Sequence, residues 1–201
     1  MEEPNQTQER WRDNALTIPN LISILRLAAV PVFVWLLVGE NRPLAAAALL
    51  GILGATDWVD GWVARRFNQV SELGKVLDPT ADRIMFLVAV LTMMIDGSVA
   101  IWFGVLTLVR EGLVAIAALI LGALGARALK VTWAGKTSSF GLMFAFPLFL
   151  LSTAVEGAQS TTYEVIAYVI DVPSLALHFV AAFGYIPLAL AALKEEREEM
   201  L

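Results

Sequence analysis

The sequence predicts an all-α integral membrane protein with six transmembrane helices. Of its 201 residues, 58% are hydrophobic and only 16% are charged, an apolar excess that is not typical of soluble globular domains. The apolar residues also form long runs, and a helix needs about 20 of them to cross a bilayer. A chain of this length therefore has room for about six crossings and no separate soluble domain.

Short polar or turn-forming segments separate the six predicted spans. These spans cover residues 21–39, 44–63, 82–97, 99–124, 140–158 and 173–193. The third span has a short apolar core that ends at the turn-forming residues Asp96-Gly97-Ser98, so we expect spans three and four to form a tight helical hairpin. We expect a polar N-terminal segment at 1–15, a six-helix membrane catalytic domain at 16–193 and a charged tail at 194–201.

Basic residues predict the orientation, because Lys and Arg are enriched in cytoplasmic segments. In this threading only Arg42 lies on the opposite side from the other basic residues outside the spans. Both termini, and the loop between spans two and three, are therefore expected to face the cytoplasm from a multi-pass cell membrane protein. The net charge of -5 argues against a nucleic-acid partner. The absence of cysteine excludes thiolate metal ligands.

Two carboxylate pairs lie at the cytoplasmic edge of spans two and three. Asp57 and Asp60 are three residues apart, and Asp78 and Asp82 are four apart, so each pair lies on one face of a helix. Pro79 suggests a helix that starts there and is capped by Asp78. Carboxylates beside a membrane are costly and indicate function. Four of them would repel each other without cations, and such oxygen ligands suit Mg²⁺ or Mn²⁺.

The residues between the two pairs suit a nucleotide. Gly61 and Ala64 share a helix face with Asp57 and leave that face without bulk. Arg65 could contact a phosphate. Gly74 would let the intervening loop turn sharply or approach a ligand closely.

The whole pattern resembles the signature of the CDP-alcohol phosphatidyltransferases. The match extends to eight fixed residues at their set spacings, namely Asp57, Asp60, Gly61, Ala64, Arg65, Gly74, Asp78 and Asp82. Further similarity to the glycerophosphate and phosphatidylglycerol branch of this family lies at 17–21, at Arg110-Glu111 and at Gly135-Lys136. The resemblance covers roughly residues 16 to 193.

The resemblance implies a six-helix membrane enzyme, usually a homodimer, with its active site open to the cytoplasm. Such enzymes transfer a phosphatidyl group from CDP-diacylglycerol to an alcohol and release CMP, in phospholipid biosynthesis. By this resemblance Asp57, Asp60, Asp78 and Asp82 hold Mg²⁺ or Mn²⁺, and Asp82 is also the general base. The same resemblance implies that the nucleotide contacts Asp57, Asp60, Gly61, Ala64, Arg65, Gly74 and Asp78.

Two basic residues are candidates for binding the acceptor. Arg110 lies deep in span four, where an arginine is rarely without a role, although pairing with Glu111 is a structural alternative. Lys136 could equally be an ordinary positive-inside residue. The glycerol 3-phosphate branch usually carries a second lysine two positions later, and this chain has Ser138 there. The stretch 135–151 looks more like cardiolipin synthases, so phosphatidylglycerol is the expected acceptor and glycerol 3-phosphate the alternative.

Two other functions are compatible with acids in a membrane. Intramembrane prenyltransferases also use two aspartate-rich motifs with Mg²⁺, but they are longer and lack the Gly-x2-Ala-Arg between the acids. A small ion transporter would place acids near mid-membrane in several helices, whereas these four cluster at one edge. Arg26 could extend to the headgroups or reach the site, and His178 is expected to be a packed residue rather than a ligand.

Overall fold

The computed structural model describes residues 17–67, 72–123 and 133–184, and within these ranges it contains helices and no strand. The all-helical prediction is confirmed. The helices are α1 (Ile18–Val34), continued by a π-helical turn (Trp35–Gly39), α2 (Pro43–Phe67), α3 (Glu72–Asp96), α4 (Ile101–Ala123), α5 (Trp133–Ala154) and α6 (Ala158–Phe183). The chain divides into two compact units, Met1–Asp96 and Gly97–Leu201. The predicted division at 1–15, 16–193 and 194–201 stays a prediction.

In the first unit α1 is the common neighbour, because it packs against both α2 and α3. The helix starts at a cap in which the Thr17 hydroxyl accepts a hydrogen bond from the Asn20 N–H at 3.3 Å, and such caps satisfy one unpaired donor of the first turn. The buried apolar side chains of this unit include Phe33, Leu37, Ala46, Ala47, Ala81, Met85, Ala89, Val90 and Met93. α1 is thus held at its start by a cap and along its length by packing.

The end of α1 is shaped by the π-helical turn. The Glu40 N–H donates to the Trp35 carbonyl at 2.9 Å, and the Arg42 N–H donates to the Leu36 carbonyl at 2.8 Å. Asn41 between them has a φ of 52°, which asparagine tolerates better than most residues. The helix therefore ends at the predicted boundary and leads directly into α2.

In the second unit α6 packs against α4 and α5. Three aromatic rings join these helices: the ring centroid of Phe149 lies 6.2 Å from that of Phe103 and 4.9 Å from that of Tyr168. At the turn between α5 and α6, Gly157 has a φ of 67°, which favours glycine. The Ser160 hydroxyl donates to the Ser152 carbonyl across this turn at 2.8 Å.

The predicted starts of the third and last helices are wrong. α3 begins at Glu72 and α6 at Ala158, so Pro79 and Pro173 lie inside helices instead of starting them. The prolines remove one backbone donor each, which a packed helix tolerates. Residues 159–172 fell between the predicted spans five and six, but they are helical, and the Thr162 hydroxyl donates to the Ala158 carbonyl at 2.7 Å.

The fifth helix is also displaced from its prediction, since it covers Trp133–Ala154 rather than 140–158. The end of the predicted last span, 185–193, lies outside the described residues. By length and composition, Asn20–Gly39 and Ala158–Phe183 are able to cross a membrane, and Pro43–Thr56 and Phe140–Ala154 form shorter apolar segments. The count of six spans therefore stays a prediction.

Candidate active site

The four signature aspartates lie on two helices of the first unit. Asp57 and Asp60 lie in one turn of the C-terminal half of α2, and Asp78 and Asp82 lie one turn apart on α3. Both helices pack against α1, so α1 is the shared neighbour of the two halves of the signature. The side chains of Asp57, Asp60 and Asp78 lie outside the described residues, whereas the side chain of Asp82 is described.

For three of the other four signature residues the structure describes only the backbone. Gly61, Ala64 and Arg65 lie in the last turns of α2, and their side chains are outside the description. Gly74 is buried in the first turns of α3. Its predicted role in a sharp loop turn is therefore wrong, because it is helical, while a close approach to a ligand stays a prediction.

Asp82 forms an ion pair with an arginine of another helix. The Arg26 Nη1 on α1 donates to Oδ1 of Asp82 on α3. The Arg26 side chain is 4% exposed and the Asp82 side chain 45% exposed. The sequence left the role of Arg26 open between extension to the headgroups and a place at the site; the structure shows that it reaches the acid.

Arg26 belongs to a row of polar side chains on α1 that sequence reasoning did not recognise as a row. Asn20, Ser23 and Arg26 are 1%, 0% and 4% exposed, and they recur every third residue. This spacing in an otherwise apolar helix keeps them on neighbouring positions of one face. The signal was available in the sequence: polar residues at a helical period within a membrane span.

The candidate acceptor residues belong to the second unit. Arg110 Nη1 donates to Oε2 of its neighbour Glu111 at 2.7 Å, with side chains 12% and 16% exposed. His178, predicted to be a packed residue, is 2% exposed on α6. Lys136 lies in the first turn of α5, and its side chain is outside the described residues. The structural alternative for Arg110, pairing with Glu111, is thus observed.

Asp171 is a buried acid that sequence reasoning missed, because that residue was assigned to a loop. It lies in the middle of α6 with 0% of its surface exposed. In the part of the chain that the structure describes, neither carboxyl oxygen has a hydrogen-bond partner. Such a group in a membrane-type helix is costly. A single acid within the long apolar run of α6 was the available signal.

The donor set fits a hard divalent cation in its chemistry. All four predicted ligands are carboxylates, which suit Mg²⁺ or Mn²⁺. The side chain of Asp82 is open enough to reach a ligand. Among the side chains that the structure describes, no three acids or histidines are grouped as a metal site, and three of the four predicted ligands fall outside those side chains.

Comparison with known proteins agrees with the signature. A family model described as CDP-alcohol phosphatidyltransferase matches residues 16–185. A cardiolipin synthase (CMP-forming) from Streptomyces coelicolor is 39% identical over 145 residues, which cover 70% of this chain and 67% of the relative. A CDP-diacylglycerol–glycerol-3-phosphate 3-phosphatidyltransferase from Haemophilus influenzae is 31% identical over 134 residues, 64% of this chain and 72% of the relative. A protein of the same name from Rickettsia bellii is 36% identical over 139 residues, 68% and 76% of the two chains.

Proposed function

Because the chain belongs to the CDP-alcohol phosphatidyltransferase family, we propose that it transfers the phosphatidyl group of CDP-diacylglycerol to phosphatidylglycerol, forming cardiolipin and CMP. The observation that carries this proposal is the complete eight-residue signature on α2 and α3. The name and 39% identity of the Streptomyces relative support the acceptor.

The residue at position 138 also supports phosphatidylglycerol as the acceptor. The glycerol 3-phosphate branch usually has its second lysine there, whereas this chain has Ser138, which is 0% exposed on α5. A serine does not supply the positive charge that a lysine offers to a phosphate. The chain therefore lacks the second phosphate-binding lysine of that branch.

The transfer is an in-line displacement at phosphorus. A hydroxyl oxygen of the acceptor attacks the phosphorus that carries the diacylglycerol, the bond from that phosphorus to the CMP oxygen breaks, and Asp82 accepts the hydroxyl proton. Asp57, Asp60, Asp78 and Asp82 would hold Mg²⁺ or Mn²⁺. The cation, when bound, supplies positive charge that neutralises the pyrophosphate as CMP leaves.

The nucleotide contacts follow from the family resemblance, and the acceptor contacts from the positions of two basic residues. Gly61, Ala64, Arg65 and Gly74 would line the nucleotide together with the first three aspartates. Arg110 and Lys136 would bind the phosphate of the acceptor. The charge of Arg110 is partly balanced by Glu111, so a phosphate bound there would meet a guanidinium that is already held in place.

The membrane arrangement that we propose has six spans, with both termini and the active site on the cytoplasmic side, in a homodimer. The apolar segments Asn20–Gly39 and Ala158–Phe183 support the first and last spans. The grouping of basic residues supports the orientation. A site at the membrane surface suits a donor whose acyl chains stay in lipid while its cytidine reaches water.

The test is acceptor choice by the purified full-length chain in detergent with Mg²⁺. Acyl-labelled CDP-diacylglycerol is offered with phosphatidylglycerol or with glycerol 3-phosphate, and CMP and lipid products are identified by mass spectrometry. We expect CMP and cardiolipin with phosphatidylglycerol. Product only with glycerol 3-phosphate would contradict the acceptor, and no CMP release with any alcohol would contradict the reaction.

A further inference from the structure

Arg26 is a charged residue at a position where a membrane protein rarely places one without a function. It lies in the apolar helix α1 and is 4% exposed. Burial of a guanidinium removes its hydration, so the surroundings must replace those interactions. One such interaction is the hydrogen bond from Arg26 Nη1 to Oδ1 of Asp82.

The two partners of this ion pair are buried to different extents. Arg26 is enclosed, whereas the Asp82 side chain is 45% exposed. A pair that served only to join α1 and α3 would gain little, because ion pairs with a solvent-exposed partner contribute little to stability. This difference in burial instead suits an arginine that positions the carboxylate. The guanidinium is enclosed by the protein, and the carboxylate that it contacts is open to a ligand.

The chemistry of the guanidinium suits this positioning role. It is planar and stays charged at every physiological pH. Its Nη1 contacts one oxygen of the carboxylate, and this contact restricts a side chain that would otherwise rotate about two torsions. Arg26 itself is held by α1, which is capped at Thr17 and packed against α2 and α3.

We propose that Arg26 is a positioning residue that holds the Asp82 carboxylate in the orientation needed for phosphatidyl transfer. This inference rests on the proposed function, in which Asp82 accepts the proton of the acceptor. It assigns α1 a direct part in the active site, although the family signature lies entirely on α2 and α3. Arg26 acts through Asp82 and does not contact the reacting atoms.

The experiment is a double-mutant cycle on CMP release, with Arg26→Gln, Asp82→Asn and the double variant in the same detergent. We expect Arg26→Gln to lower kcat by about 10–100-fold, the loss typical of residues that orient a metal-binding side chain, with the KM for CDP-diacylglycerol nearly unchanged. In the Asp82→Asn background the same change should have little further effect, because residues that act as a unit are not additive. Arg26→Lys should restore part of kcat, since an ammonium pairs with the carboxylate without the planar geometry of the guanidinium.

Arg42→Gln is the matched control, because Arg42 is in the same unit, is 66% exposed and lies 3.7 Å from Glu40. It should leave kcat unchanged. Thermal unfolding of each variant measures the folded fraction.

Two outcomes would overturn the proposal. An unchanged kcat per folded molecule in Arg26→Gln would mean a structural role only. A raised KM for CDP-diacylglycerol with unchanged kcat would mean direct contact with the donor. If the rate of Asp82→Asn is too low to measure, the separate effects of Arg26→Gln on kcat and on KM decide whether the proposal holds. A wild-type chain that releases no CMP would instead overturn the proposed function itself.

Discussion

Ser174 on α6 fits against Gly141 on α5 so closely that a Cβ atom at residue 141 would lie 1.9 Å from the Ser174 Oγ and 2.9 Å from its Cβ. Contacts this short force the two helices or the serine to move. Gly141→Ala should therefore lower the free energy of unfolding by about 1–3 kcal/mol, the usual cost of overpacking. This loss would appear although alanine is the better helix former by about 1 kcal/mol. Thermal or denaturant unfolding in detergent measures it.

Gly51→Ala is the control for this prediction, because a Cβ atom at residue 51 of α2 meets nothing within 4 Å. It should leave stability unchanged or raise it by about 0.5–1 kcal/mol. Removing the serine side chain with Ser174→Gly should reduce the damage of Gly141→Ala in the double variant. Equal stability of Gly141→Ala and Gly51→Ala would show that α5 and α6 are not packed this closely.

Asp171 gives a second stability prediction. Its carboxyl group is fully buried in α6 and has no hydrogen-bond partner among the described residues. Asp171→Asn keeps the volume and a buried polar group but cannot ionise, so it removes only the cost of burying a charge, and stability should stay the same or rise. Glu164→Gln, an exposed acid on the same helix, should change stability by less than about 0.5 kcal/mol. A clear loss in Asp171→Asn alone would indicate an ionic partner for this carboxylate.

The sequence predicts most of the fold because the apolar runs are long. α2 and α4 lie close to their predicted spans, since a long apolar run at a membrane-spanning length is a strong helix signal. The starts of α3 and α6 could not be predicted in this way. Pro79 and Pro173 are compatible with the first turn of a helix and with a packed helix interior, and only the tertiary surroundings select between the two.

The candidate site, like the fold, was predictable from the sequence only where residues close together in the chain form the pattern. The signature could be found because its eight residues lie within consecutive helices at fixed spacings. The contact between Arg26 and Asp82 joins positions 56 residues apart, and no local pattern records which helix packs against which. The three-residue period of Asn20, Ser23 and Arg26 was an available but unrecognised signal of a polar face on α1, and the partner of that face required the structure.

The proposed orientation predicts the accessibility of both termini. Tags fused before Met1 and after Leu201 should be labelled from the cytoplasmic side only, because the basic residues outside the spans group on that side. Labelling of intact and permeabilised cells measures this accessibility. A tag near Arg42 should be labelled from the opposite side. A C-terminal tag accessible in intact cells would contradict the proposed six-span arrangement.

The proposed metal site predicts a dependence on divalent cations. Excess EDTA should abolish CMP release, because four carboxylates need a strong neutralising charge to hold a pyrophosphate. Added Mg²⁺ or Mn²⁺ should restore it. Thermal unfolding of the EDTA-treated protein is the control that separates loss of metal from loss of fold. Full turnover in EDTA would exclude a metal-dependent reaction.

Replacing Asp82 or Asp57 by asparagine should have different effects on turnover and on donor binding. Asp82→Asn keeps the size and one oxygen of the side chain but removes its basicity. Turnover should therefore fall by roughly 10²–10⁴-fold, as is typical for the loss of a general base. Its binding of CDP-diacylglycerol should survive much better, if Asp57, Asp60 and Asp78 hold most of the metal. Asp57→Asn should reduce both binding and turnover, because it removes a ligand of the pyrophosphate-bound cation.

The two variants are compared by calorimetric binding of CDP-diacylglycerol and by CMP release in the same detergent. Near-normal turnover in Asp82→Asn would exclude it as the base, and an equal loss of binding in both variants would leave Asp82 as a metal ligand alone.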